Sequence, residues 1–168
     1  MKSYLVLTVI ADDKPGLVES LSEVIAEHKG NWLESSMSQL SGKFAGILSV
    51  SVSQQDVDAL VAALNRLSPE LKLVIEQVEI EGSGEQPRTV ELSLVGNDRS
   101  GIVREISHAL AVLSVNVEQL STRCEPAPMS SDILFRTSAR LKVPQDVSLE
   151  ELQRSLERLA DDLMVEIK

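Results

Sequence analysis

The run Asp12-Asp13-Lys14-Pro15-Gly16-Leu17-Val18 returns as Asn97-Asp98-Arg99-Ser100-Gly101-Ile102-Val103, displaced by 85 positions. The same displacement carries Leu21 onto Ile106, Ile25 onto Leu110, Asn31 onto Asn116 and Ser36 onto Ser121. A register held over that span restricts the chain to a duplicated module, each copy with its own core. The length of 168 residues accommodates two such small domains.

Each copy reads as the same series of elements. In the first, Tyr4 to Ile10 is short, β-branched and apolar, as a central strand is. Asp12 to Gly16 then offers carboxylate caps and a proline at a helix start, and Leu17, Leu21, Val24, Ile25 and His28 follow at helical spacing. Gly30 is the expected left-handed stop. Two alternating runs, Trp32 to Leu40 and Phe44 to Val52, flank Ser41-Gly42-Lys43 and predict a hairpin. Asp56 is placed to cap a second helix with an apolar stripe of Val57, Leu60, Val61, Leu64 and Leu67, stopped by Ser68-Pro69. Leu71 to Ile80 supplies the fourth strand.

The second copy repeats the order. Val90 to Val95 is a strand, Ile102 to Leu113 a helix, and Val115 to Cys124 with Ile133 to Val143 a hairpin whose loop is longer and richer in proline. Ser148-Leu149-Glu150-Glu151 is a capping box for the last helix, and Leu163 to Ile167 closes the series. Residues 82–88, polar and ending near Pro87, read as a linker between a domain at 1–81 and another at 89–168. The fold class is therefore α+β: two ferredoxin-like βαββαβ modules, each a four-stranded antiparallel sheet with two helices on one face. The uncovered faces or edge strands are expected to pack on each other or on another copy of the chain.

Composition narrows the function. A net charge of −10 repels nucleic acid phosphates, and one Trp, one Tyr and two Phe leave little for stacking bases. The single cysteine, Cys124, excludes an intramolecular disulfide, and no Cys/His set has metal-ligand spacing. Neither a metal nor a cofactor is expected. The N-terminus lacks the pattern of a secretory signal and no apolar run is long enough to span a bilayer, so a cytoplasmic location is expected.

The repeated loop concentrates the candidate chemistry. Backbone N–H groups at a helix start lack partners and accept a small carboxylate. Gly16 and Gly101 keep a Cβ out of the way, and Asp13 and Asp98 stand beside them to complement an ammonium group. Asn31 and Asn116, at the start of the following strand, offer an amide to the same pocket. Together these groups describe a free α-amino acid. The same residues also suit plain helix capping without a ligand.

The run Ala11 to Val18, with Gly30-Asn31 after it, resembles the ACT domain, and the likeness covers nearly the whole chain as two modules. The resemblance implies regulatory units that bind amino acids between modules, and by position it implicates Asp13, Gly16, Leu17 and Asn31, with Asp98, Gly101, Ile102 and Asn116 in the second copy. As a free-standing pair, the chain is similar to a group within that family that represses glycine cleavage genes. That likeness implies a small amino acid effector, glycine favoured, and a protein partner, a LysR-type transcriptional activator, with no direct nucleic acid contact. Two departures stand out: Ser100 replaces the proline and Val115 replaces Gly30, so the helix of the second copy is expected to end differently.

Two other classes compete. Acylphosphatase-type hydrolases share the ferredoxin-like arrangement, but they need a phosphate-cradling loop with an arginine where this chain is acidic. His28 and His108 occupy different register positions and have no partnered Ser or Cys nearby in sequence, so no catalytic residue is expected. A scaffold that uses its open sheet faces without a ligand is the third class.

Overall fold

The structure is a computed structural model that describes residues 1–79 and 87–168. The chain divides into two compact units, Met1–Gly82 and Ser83–Lys168. The expected linker at 82–88, apart from its last two residues, and the expected end of the fourth strand at Ile80 lie outside the described residues.

The first unit runs β1 (Lys2–Asp12), α1 (Leu17–Glu27), β2 (Asn31–Leu40), β3 (Lys43–Ser53), α2 (Val57–Asn65) and β4 (Lys72–Val78), and its sheet has the order β2-β3-β1-β4. The second runs β5 (Arg88–Asn97), α3 (Ile102–Val112), β6 (Asn116–Pro126), β7 (Ile133–Val143), α4 (Leu149–Glu157) and β8 (Met164–Ile167), in the order β6-β7-β5-β8. Both sheets are antiparallel throughout. These are the two expected ferredoxin-like modules.

β1 lies at the centre of its sheet, between β3 and β4, and its alternation decides which face is covered. Leu5, Leu7 and Val9 point to the helices and are buried, whereas Thr8 and Ile10 face the other side and are exposed. The helices answer with Leu17, Leu21 and Ile25 on α1 and Leu60 and Leu64 on α2. In the second unit Leu92, Leu94, Ile106, Leu110, Leu152 and Leu156 take the same roles.

Several end signals work differently from the sequence reading. The Asp56 side chain makes no capping bond, because Gln54–Asp56 forms a 3-10 turn that leads directly into α2. Ser148 does cap α4, its hydroxyl accepting from the Glu151 N–H at 3.1 Å. The left-handed residue after α1 is Lys29 (φ 63), not Gly30, and after α3 it is Ser114 (φ 58). Both helices close with the same pair of bonds. Lys29 N–H reaches Ala26 O at 3.1 Å and Gly30 N–H reaches Ile25 O at 2.8 Å; Ser114 N–H reaches Ala111 O and Val115 N–H reaches Leu110 O, each at 3.0 Å. This is a Schellman closure in both copies, so the expected difference in helix ending is corrected.

Gly30 is a glycine for a different reason. A Cβ there would lie 2.9 Å from Ile25 Cγ2, 3.0 Å from Ile25 O and 3.2 Å from Val50 Cγ1. In the second copy Leu110 stands where Ile25 does and has no Cγ2, and Val115 is buried in the core.

Candidate functional site at the first loop of each module

Each module's first loop leaves the centre of the sheet and turns into its helix. Gly16 (φ 89) and Gly101 (φ 86) are the cap residues, in the left-handed conformation that L side chains rarely adopt. No side chain caps either helix, so Asp12 and Asp13 do not play the capping role read from sequence. The constraint on these glycines is backbone conformation, since a Cβ at either would meet nothing within 4 Å.

In the first module Ser20 N–H donates to Gly16 O at 2.9 Å, while the N–H groups of Leu17, Val18 and Glu19 have no acceptor among the described residues. They face an open depression of about 240 Å³ lined by Asp13, Lys14, Gly16, Leu17, Val18, Glu19 and Phe44. The Asp13 carboxylate is exposed and has no partner among the described residues, while its N–H donates to Gly42 O at 3.0 Å. The neighbouring charges are engaged: Lys14 pairs with Glu70 at 3.5 Å, and Asp12 accepts from Lys43. That bond, with the charge of Lys43, holds the Asp12 carboxyl below its ordinary range.

The second loop has the same backbone and different side-chain partners. Asp98 N–H donates to Ile133 O at 2.8 Å. Partial desolvation of the exposed Cys124 thiol pushes it up from its ordinary range, and the Asp98 carboxylate adds to this by its charge and by a hydrogen bond with the thiol. Arg99 pairs with Glu105 and donates to Leu159 O at 3.2 Å, and Ile102 N–H donates to Arg99 O at 3.3 Å. This loop is therefore partly occupied by its own module.

Of the residues implicated by sequence, Asp13, Gly16 and Leu17 come together, as do Asp98, Gly101 and Ile102. Leu17 and Ile102 are core residues, 6% and 4% exposed, and face the loop only through their main chains. The asparagines stand elsewhere. Asn31 pairs with Ser51, which pairs with Tyr4, so it lies at the far end of its own sheet from Asp13. Eight strand residues separate the two levels, about 25 Å. Asn116 pairs with Lys142 and through it with Thr89, the same displacement in the second module. A pocket holding Asp13 and Asn31 of one module is thus corrected, because α1 carries the chain back along the sheet before β2 begins. Phe44, which lines the depression, was missed; it is the first inward residue of β3 and meets the loop only because the hairpin tip folds beside it. Among the described residues no group of three or more His, Cys, Asp or Glu is placed to hold a metal. No helix among them is long and apolar enough to cross a membrane.

Two βαββαβ units with the order β2-β3-β1-β4 and a glycine-opened first helix define the class. The chain belongs to the ACT-domain family. The ACT domain model matches residues 3–79. A UPF0237 protein of Methanopyrus kandleri is 34% identical over 76 residues, covering 45% of this chain and 79% of that protein. Among solved structures, an unknown protein from Galdieria sulphuraria superposes with a TM-score of 0.86 at 25% identity, covering 100% of this chain and 98% of that one. A protein provisionally assigned as a glycine cleavage system transcriptional repressor shares the fold, with a TM-score of 0.72 at 17% identity over 100% of this chain and 97% of the other.

Proposed function

We propose that the protein is a non-enzymatic regulator that senses a small amino acid, glycine favoured, at the first loop of its modules. In this reading it restrains glycine cleavage genes by holding a LysR-type transcriptional activator, with no DNA contact of its own. The observation that carries the sensing step is the first loop of the first module. There, unpartnered N–H groups at the start of α1 and the unpartnered Asp13 carboxylate flank one open depression. The amides suit the ligand's carboxylate and Asp13 suits its ammonium group.

The first module is the stronger site in this reading, because Asp98 and Arg99 already have partners in the second. Phe44 and Glu19 line the same depression beside Asp13 and Gly16. The glycine cleavage assignment rests on the shared fold with the provisionally assigned repressor, and the acidic net charge supports a protein partner over nucleic acid.

The test is calorimetry of the full chain against glycine, alanine, serine and the other common amino acids. Saturable binding of glycine, weakened about tenfold or more by Asp13→Ala and less than twofold by Asp98→Ala, is expected from the loss of one charge-assisted bond. Absence of binding by every amino acid would replace the sensor with the ligand-independent scaffold.

A further inference from the structure

The two modules differ on the sheet face turned away from the helices. In the first, the central positions of that face are Thr8, Ala45, Ile47, Ser36 and Ser38. At the same register positions the second carries Ser93, Arg136, Ser138, Ser121 and Arg123. Arg123 lies directly opposite Arg136 on the neighbouring strand, a like-charge pairing that costs stability unless an anion joins it. Their only shared counter-charge among the described residues is Glu125, which pairs with Arg123 at 3.4 Å and accepts from Arg136. Two guanidinium groups thus share one carboxylate, leaving one positive charge over in a chain of net charge −10.

Beside them is an open cavity of about 280 Å³ lined by Ser93, Ser121, Arg123, Arg136 and Ser138, with Val95 at its edge. Three serines and two arginines line it. Hydroxyls and guanidinium groups all donate to a tetrahedral oxyanion, and the planar fork matches its paired oxygens. A single carboxylate such as Glu125 neutralises one arginine, whereas a phosphate dianion satisfies both.

We propose that this face of the second module is a binding site for a small phosphate-bearing metabolite, held by Arg123 and Arg136 with Ser93, Ser121 and Ser138. Glu125 is the internal competitor that holds the two arginines in place when the site is empty. The site lies on the open sheet face, beside the end of β5 from which the module's first loop leaves, and it does not depend on the amino acid reading.

The test follows backbone amide shifts of the full chain during titration with inorganic phosphate at constant ionic strength, with chloride as the reference ion. Saturable shifts confined to β5, β6 and β7 around Ser93, Ser121 and Ser138 are expected. Arg123→Gln and Arg136→Gln should each weaken phosphate about tenfold or more, and Arg140→Gln, further along β7 and paired with Glu91, less than twofold. Glu125→Gln should tighten binding several-fold, a change that a merely structural role for these arginines would not produce. Thermal melts of each variant confirm that it is folded, and the exposed Arg123 serves if Arg136→Gln is not. Shifts that chloride reproduces, or that survive loss of either arginine, overturn the site.

Discussion

The Schellman closures of α1 and α3 make opposite demands on two adjacent residues, and this can be tested at Lys29 and Gly30. Lys29 holds φ 63, a conformation that costs an L residue about 1–2 kcal/mol, so Lys29→Gly should stabilise the first module by about 1 kcal/mol after glycine's greater loss of chain entropy is subtracted. Gly30→Ala should do the reverse. Its Cβ would lie 2.9 Å from Ile25 Cγ2 and 3.0 Å from the carbonyl oxygen that accepts Gly30's own N–H, so relief requires either a shifted core side chain or a weakened closing bond. Overpacking of this kind costs about 1–3 kcal/mol. Ile25→Leu introduces the side chain present at Leu110, removes the offending methyl, and should recover part of that loss in a double-mutant cycle. The assay is urea unfolding followed by Trp32 fluorescence, because the single tryptophan of the chain is packed on the first module's core. A module of this size should move its thermal midpoint by about 4–8 °C for each kcal/mol. Destabilisation by Lys29→Gly, or a neutral Gly30→Ala, would refute the assignment of the left-handed position to residue 29.

Three further outcomes are expected. Ser148→Ala, which removes the bond to Glu151 N–H, should destabilise the second module by about 1 kcal/mol, read by circular dichroism in urea. Thr137→Val should leave that module as stable or stabilise it by about 1 kcal/mol, since the Thr137 hydroxyl is buried without a hydrogen-bond partner. Asp98→Asn should lower the Cys124 thiol, whose folded-state value is raised by partial desolvation and by the Asp98 charge. The variant then holds more thiolate at mildly alkaline pH and reacts faster with iodoacetamide, and an unchanged rate would separate the two groups.

The architecture was readable because two independent signals agreed. The apolar run from Tyr4 to Ile10 marked a central strand, and the displaced motif at Gly101 marked a second copy of the module. Element ends were less readable. A glycine after a helix marks a tight closure, but composition does not distinguish the residue that takes positive φ from the next one, which needs close approach; Lys29 and Gly30 divide those roles. The candidate site was half readable. Asp13, Gly16 and Leu17 are near neighbours in sequence and therefore in space, whereas Asn31 depends on which way the chain runs after α1, which spacing alone does not encode. Phe44 was hidden for a related reason, since its contact with the loop is made across the sheet and leaves no local pattern.

The bonds from Asp13 N–H to Gly42 O and from Asp98 N–H to Ile133 O fasten the turn before each helix to the base of its hairpin loop. That turn moves alone only by breaking this bond. A molecule that pushes Asp13 aside either breaks the bond or moves the Ser41-Gly42 corner, which adjoins β2, the strand whose outer backbone edge has no strand beside it in its own sheet. In both modules the same corner thus ties the approach to the first helix to the hairpin that carries the sheet's border strand.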